Sequence, residues 1–173
     1  MIFLKLIGKF VKVLRSAATP SQIAWGFALG AVLGLTPFVS LHNFVIIFLI
    51  IILNVNIASA TLSLAVYSLV AWLCDPLFHT LGRVMLTAPF LNSTWTSLYN
   101  VPVAPLTRFN NTVLMGSLIV SILLIVPNFF FFKWFVFKYR DSWNAKIEKW
   151  KITQILKGSN FVQLILKFSG RGQ

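Results

Sequence analysis

Asp75, His79 and Arg83 follow one another at four-residue intervals within an otherwise apolar stretch of the sequence. Because residues four apart lie on one face of an α-helix, these side chains are expected to form a single polar stripe. A carboxylate, an imidazole and a guanidinium in one stripe can bind an anionic head group or a partner protein, relay protons, or pair with one another. A helix at an aqueous boundary can also carry such a stripe as a solvated face, and both interpretations stay open.

A second polar group interrupts two apolar runs further upstream, where Ser40, His42 and Asn43 follow Pro37. His42 and Asn43 are candidates for binding the same head group or partner as the stripe. A contact between His42 and the region of Asp75 would make a proton-linked site. The alternative is an ordinary polar turn that contains a histidine.

Patterns typical of catalysis are weak in this sequence. Ser40, His42 and Asp75 could be drawn as a triad, but no strand–turn–helix nucleophile motif supports it. Glycine-rich phosphate loops and metal-binding helix motifs do not occur, and the chain has only three acidic residues. The single cysteine, Cys74, cannot form an intrachain disulfide, and no Cys/His spacing resembles a zinc site. The sequence therefore predicts neither an enzyme nor a metal or other cofactor.

The composition places these residues in a membrane protein. Hydrophobic residues make up 58% of the 173 residues and charged residues only 10%, against roughly 25% charged in soluble domains. No Lys, Arg, Asp or Glu occurs from Ser16 to Cys74. A soluble domain would need charged surface over such a length, whereas a bilayer supplies an apolar solvent. The class predicted is an integral membrane protein.

The net charge of +12 is concentrated at the two ends of the chain. Only Arg83 and Arg108 lie between the basic residues that precede the apolar block and those that begin at Lys133. By the positive-inside rule, both termini should face the cytoplasm, with an even number of crossings. Nucleic acid is an unfavoured partner because the basic residues flank hydrophobic spans, where they match the anionic lipids of the inner leaflet.

The elements that must position these residues are all predicted to be helices. Residues 1–18 form an amphipathic helix whose polar face carries Lys5, Lys9, Lys12 and Arg15. Such a helix would lie in the membrane plane with its basic residues toward lipid phosphates, or else would pack on a partner protein.

The remainder divides into a membrane domain, residues 19–133, and a basic cytoplasmic tail, residues 134–173. Asp75-Pro76 is expected to end the third helix of the domain and to begin a segment outside the cytoplasm. The first two helices are short for a bilayer and would form a hairpin or a re-entrant pair, whereas two longer helices would span it. In order, the predicted elements are helices at about 20–36, 39–53 and 57–74, the outer-side segment 75–106, and a helix at 111–133.

Gly26, Gly30 and Gly34 recur every four residues in the first of these helices. This is a doubled small-xxx-small ridge, which allows another helix backbone to approach closely. The ridge is therefore predicted to pack against a membrane helix of this chain or of a partner.

The sequence around this ridge resembles a known family. Residues 19–37 match the hallmark S/T-P-x-x-I-A-x-x-F-A-x-G-x-x-x-G-x-x-P of an uncharacterised family of small bacterial inner-membrane proteins. Further matching motifs extend the resemblance over about residues 1–140. They are Ser40-Leu-His-Asn43, Val55-Asn56, Asp75-Pro-Leu-Phe-His79, Leu98-Tyr-Asn100, Leu106-Thr-Arg-Phe-Asn-Asn-Thr112 and Met115-Gly-Ser117.

This resemblance implies a bacterial envelope protein whose relatives often accompany a large periplasmic lipid-transfer protein of the AsmA-like type. The leading hypothesis is therefore an accessory inner-membrane subunit of an inter-membrane phospholipid transport system, with anionic phospholipid as its expected lipid. One alternative is a small self-assembling proton-linked transporter or channel that uses His42 and Asp75. A second is a structural membrane anchor, in which the glycine ridge matters and the ionisable residues do not.

Overall fold

The computed structural model describes residues 2–143 and the side chains of residues 6–141. This part of the chain is all-α, as predicted, with six α-helices and no strand. The predicted tail is described only as far as residue 143. The helices are α1 (Ile2–Leu14), α2 (Pro20–Leu35), α3 (Leu41–Ile52), α4 (Ile57–Leu86), α5 (Asn92–Tyr99) and α6 (Thr112–Lys138).

Helix α2 is the centre of the bundle, and α4 and α6 pack along it. It begins with a capping box, in which the Thr19 hydroxyl accepts from the Gln22 amide at 3.2 Å and the Gln22 side chain accepts from the Thr19 amide at 2.8 Å. Pro20 occupies the first turn, where its missing N–H loses no helical bond. From Ile23 to Leu35 every residue except Trp25 is buried.

The glycine ridge of α2 packs against α4 of the same chain. A methyl group built on Gly26 would lie 2.7 Å from the Asn56 carbonyl oxygen, and one built on Gly34 would lie 2.8 Å from Tyr67 Cβ. A methyl group on Gly30 would overlap the Ala60 carbonyl oxygen. The ridge therefore serves intramolecular packing, and α2 runs parallel to the first half of α4.

A second glycine contact joins α4 to α6. Cβ atoms built on Gly82 and Gly116 would overlap the carbonyl oxygens of Thr112 and Phe78, respectively. The two helices therefore cross backbone to backbone at this point. The sequence does not predict this crossing, because two isolated glycines in different helices form no periodic pattern.

Helix α4 continues through Pro76, so the predicted helix end at Asp75-Pro76 is wrong. A proline inside a helix removes the hydrogen bond to the carbonyl four residues earlier, that of Trp72, and typically costs about 3 kcal/mol. Packing holds α4 together on both sides of this defect: the glycine ridge contacts it before Pro76, and the crossing at Gly82 contacts it afterwards. Tertiary contacts thus override the local helix-breaking signal.

The connection between α4 and α6, residues 87–111, is called the distal segment here. The sequence predicts a loop for most of it, because Pro89, Pro102 and Pro105 fall within it. The structure instead forms α5, flanked by 3-10 turns at Pro89–Leu91 and Ala104–Thr107. The second turn folds back to contact α3.

Two helices are long and apolar enough to cross a membrane. They are α4 and the span Thr112–Asp141, each 30 residues long, or about 45 Å. Only 22% and 33% of their most apolar stretches are buried, whereas the core helix of a soluble protein is mostly buried. Helix α2, with 16 residues, is about 24 Å long, less than the ~30 Å of a bilayer's hydrocarbon.

Candidate functional site

The polar stripe lies on the second half of α4. Because α4 is continuous, Asp75, His79 and Arg83 share one face, as predicted, and all three are exposed. The opposite face of the same helix segment exposes large apolar side chains, since Leu77 is 64% exposed and Val84 61%. The stripe is therefore a band of charge on a helix whose opposite exposed face is apolar.

The three members of the stripe differ in their partners. His79 Nδ1 lies 2.6 Å from Thr112 Oγ1 at the start of α6, so its ring ties the two long helices together. Asp75 and Arg83 make no side-chain hydrogen bond or ion pair with any residue that the structure describes. The predicted possibility that the stripe pairs with itself is thus not realised, and its two charged ends are available to an external group.

Asn43 holds the turn between α2 and α3 from within. It is 2% exposed, and its amide nitrogen donates to the carbonyl oxygens of Pro37 at 3.0 Å and Phe38 at 3.1 Å. Its amide oxygen accepts from Thr36 Oγ1 at 3.0 Å. Because both amide atoms are engaged, Asn43 serves the turn, and the sequence-based assignment to an external ligand receives no support from this geometry.

His42 lies in the same turn, half-buried, with Nε2 3.2 Å from Ser40 Oγ. Burial lowers the pKa of the His42 imidazole below its usual value, which favours the neutral ring. No hydrogen bond or ion pair joins His42 to Asp75 among the described residues. The reason is the shortness of α2: the hairpin turns back level with Tyr67, about 12 Å before Asp75 along α4.

Helix α1 is fixed to the end of α6, at what we call the basic end of the bundle. Arg140 donates to the carbonyl oxygens of Leu14 at 3.1 Å and of Ser16 and Ala18, each at 2.8 Å. These carbonyls lie at the last residue of α1 and in the linker that follows it, where the helix supplies no backbone donor for them. A single guanidinium therefore closes the end of α1 and sets the direction in which the chain enters α2.

The apolar face of α1 is partly occupied by this chain's own bundle. Phe10 contacts Phe27 and Phe135, with ring centroids 5.7 and 5.8 Å apart. The opposite face is basic, and Lys9, Lys12 and Arg15 are exposed there. The side chain of the fourth predicted member, Lys5, lies outside those described.

A polar pair lies inside the bundle where α4 passes α6. The Tyr67 hydroxyl donates to the Asn128 amide oxygen at 2.7 Å. The Asn128 amide nitrogen is buried and has no hydrogen-bond partner. The sequence does not predict this pair, because the two residues are 61 positions apart and only the antiparallel packing of α4 and α6 brings them together.

The part of the chain that the structure describes contains no candidate metal site. No group of three or more His, Cys, Asp or Glu side chains comes together among these residues. Cys74 is half-buried next to Asp75, as a free thiol.

The fold and these sites define a small helical protein with a membrane-type apolar surface. A family model described as "Uncharacterized protein conserved in bacteria (DUF2062)" matches residues 5–144, and the chain belongs to this family. An uncharacterized protein of Treponema pallidum (strain Nichols) is 28% identical over 134 residues, which cover 78% of this chain and 83% of the relative. No solved structure matches the chain.

Proposed function

We propose that this chain is a multi-pass subunit of the bacterial inner membrane that assists phospholipid transport across the envelope. Its partner would be a large AsmA-like periplasmic bridge protein, which is suggested by the sequence resemblance alone. In this arrangement α4 and α6 cross the bilayer, and both chain ends face the cytoplasm.

The observation that carries the proposal is the pair of unpartnered charges on α4. Asp75 and Arg83 are exposed, have no hydrogen-bond or ion-pair partner among the described residues, and lie on a helix whose opposite face exposes leucine and valine side chains. Ionisable groups are unfavourable in an apolar membrane environment unless something compensates them, so their presence favours a functional ligand. A lipid phosphate would satisfy Arg83, and a basic group of the partner or of a zwitterionic head group would satisfy Asp75.

The orientation and the short hairpin support the same role. Exposed basic side chains of α1, together with Lys133 and Lys138 stacked on Phe129 and Trp134, favour the anionic cytoplasmic leaflet for the basic end. The hairpin of α2 and α3 is shorter than the hydrocarbon core, so it favours local thinning or re-entry of the bilayer. Thinning would lower the barrier to extracting a lipid beside the stripe.

The two alternatives differ in what they require of the ionisable residues. A proton-linked transporter needs His42 and Asp75 to exchange protons along one path, and these residues form no direct contact. An anchor needs neither of them. The glycine ridge does not separate the hypotheses, because it packs inside the chain and its loss would disrupt all three.

The test removes the charges while keeping the fold. In a bacterial strain that lacks the native gene, Arg83→Gln and Asp75→Asn should each disturb the phospholipid balance between the two membranes at unchanged protein level. Ser68→Ala is the matched control, since Ser68 is exposed on the same helix and bonds only to the Leu64 carbonyl of its own helix. Normal lipid balance in both charge variants would reject the proposal.

His79 requires its own control because it also joins α4 to α6. His79→Ala removes both the imidazole of the stripe and the contact with Thr112, whereas Thr112→Val removes the contact alone. We expect a lipid defect in His79→Ala that exceeds any defect in Thr112→Val. Equal defects would assign His79 a purely structural role.

A further inference from the structure

The distal segment borders an open cleft whose lining contains no residue of the polar stripe. Its volume is about 380 Å³, and its wall combines the end of α4 with α5 and the residues before α6. The lining is aromatic and amide-rich: Leu86, Trp95, Tyr99, Asn100, Phe109 and Asn110. Neither acidic nor basic side chains belong to this lining, so the cleft itself suits a neutral, hydrogen-bonding ligand.

The aromatic wall is held in a fixed arrangement. Trp95 Nε1 donates to the Met85 carbonyl oxygen at 3.2 Å, which ties α5 to the end of α4. Phe109 stacks on Trp95 at a centroid distance of 6.1 Å and meets the Tyr99 ring edge-on at 6.4 Å. The cleft is therefore preformed, which lowers the entropy that ligand binding must overcome.

Three polar side chains of the lining have no partner of their own. Neither the hydroxyl of Tyr99 nor the carboxamides of Asn100 and Asn110 hydrogen-bond to residues within the described range. Carboxamides both donate and accept, so they match a group that carries several hydroxyls. Aromatic faces beside such amides suit the carbon skeleton of the same group. The lining thus points to a polyol.

Arg83 and Arg108 are the only two Lys or Arg residues between Arg15 and Lys133, and each lies close in the chain to a residue of the lining. Arg108 directly precedes Phe109 in the chain, and Arg83 stands just under one helical turn before Leu86. Arg108 adopts a left-handed backbone with φ 55°, uncommon for a residue other than glycine, and its amide donates to the Pro105 carbonyl oxygen at 3.0 Å. An exposed guanidinium on a constrained turn suits a phosphate.

The same segment also exposes apolar side chains, among them Phe90 at 78% and Leu106 at 71%. Such residues favour an apolar boundary rather than bulk water, so the ligand would approach from the membrane. We propose that the cleft binds the phosphorylated polyol head of a membrane glycerolipid, with Asn100 and Asn110 on the hydroxyls and Arg108 on the phosphate. This inference rests on the proposed lipid function and names its head-group class.

The experiment measures binding by the full chain in nanodiscs of phosphatidylcholine. Dihexanoyl-phosphatidylglycerol, added below its micelle concentration, should bind at least about tenfold more tightly than dihexanoyl-phosphatidylcholine, which lacks the free hydroxyls. Binding of the two lipids with equal affinity would overturn the polyol assignment. Glycerol 3-phosphate is the water-soluble comparison, and equal affinity for it would overturn the assignment to a lipid.

Variants assign the binding to this cleft. Asn100→Ala and Asn110→Ala should each weaken phosphatidylglycerol binding about fivefold, whereas Asn92→Ala, on α5 but outside the lining, should not. Arg108→Asn should also weaken binding, because it removes the cation next to the cleft while asparagine tolerates the left-handed backbone. Lys133→Gln is its control, since it removes a cation at the basic end instead. Unchanged affinity in all three cleft variants, with unchanged thermal unfolding, would overturn the proposal.

Failure of this inference can be distinguished from failure of the proposed function. If phosphatidylglycerol binds in the cleft but the stripe variants leave envelope lipid balance normal, the transport role is wrong and the binding site stands. If the stripe variants disturb lipid balance while the cleft variants bind normally, the transport role stands and the cleft inference is wrong.

Discussion

The polar side chains in the two halves of α4 differ in burial and in their hydrogen-bond partners. In the first half, Ser59 and Ser63 are fully buried, and Ser63 Oγ donates to the Phe27 carbonyl oxygen of α2 at 2.7 Å. In the second half, Asp75 and Arg83 are exposed and have no partner within the described part of the chain. Small hydroxyls that bond within the bundle hold helices together, whereas charges that the bundle leaves unsatisfied remain for a ligand. Position along one helix thus separates the structural part from the candidate functional part.

The largest expected effect lies where α2 packs against the first half of α4, at Gly30. Gly30→Leu would force a side chain into the Ala60 carbonyl and Ser63 Cβ, separating α2 from α4. We expect a loss of about 3 kcal/mol or more, seen as a lower thermal midpoint and aggregation of the purified protein.

The control for this change is Ala58→Leu, which adds similar bulk at an exposed position of α4, the helix against which Gly30 packs. It should leave the midpoint nearly unchanged. A folded Gly30→Leu protein with a normal midpoint would contradict the packing of the ridge inside the chain.

The second-largest loss of stability is expected at the basic end, where Arg140 is also hydrogen-bonded within the chain. Arg140→Ala leaves three carbonyls at the end of α1 without their donor. Charge-assisted hydrogen bonds of this kind suggest a loss of about 2 kcal/mol. Hydrogen exchange should show early opening of α1 before the rest of the bundle.

Arg140→Lys is a stricter test, because lysine keeps the positive charge but lacks the planar guanidinium with its several N–H donors. It should recover only part of the stability. Full recovery would mean that charge alone fixes α1, in contradiction to the three directed hydrogen bonds.

A smaller effect is expected where the two halves meet, at Tyr67. Tyr67→Phe leaves the buried Asn128 amide without any partner, which should destabilise the protein by about 1 to 2 kcal/mol. Adding Asn128→Leu removes the stranded amide and should restore the thermal midpoint. If the double variant is less stable than Tyr67→Phe, the pair contributes more than its mutual hydrogen bond.

The smallest stability change belongs to the second half of α4. Asp75→Asn and Arg83→Gln remove no described contact, so each should change the unfolding free energy by no more than about 0.5 kcal/mol. Chemical denaturation in detergent measures this. A loss above about 2 kcal/mol would place these charges among the structural groups and would erase the difference between the two halves.

Sequence patterns predicted the helices that depend on local signals. The helix predicted at 20–36 agrees with α2, which begins after the Thr19 capping box. The start predicted at 57 agrees with α4, which Asn56 caps by accepting from the Ser59 amide at 2.8 Å. The small-residue period predicted close packing along α2. These features could be read from the sequence because neighbouring residues determine them.

The errors arose where distant residues decide the structure. Pro76 signals a helix end locally, but packing before and after it keeps α4 intact. Asn43 was predicted to bind a head group or a partner, whereas the fold of the turn buries it. The cleft around Trp95 and Phe109 was also missed, because only the folding back of the distal segment brings these rings together.

The measurement that tests the central claim most directly is gentle purification of the wild-type chain and of the double variant Asp75→Asn with Arg83→Gln, followed by quantification of the lipids and proteins that accompany each. For the wild type, we predict enrichment of phospholipid over the bulk membrane together with a large periplasmic partner. Both should be depleted in the double variant, at equal yield. A wild-type homo-oligomer without enriched lipid or partner, or identical recovery from the double variant, would contradict the account.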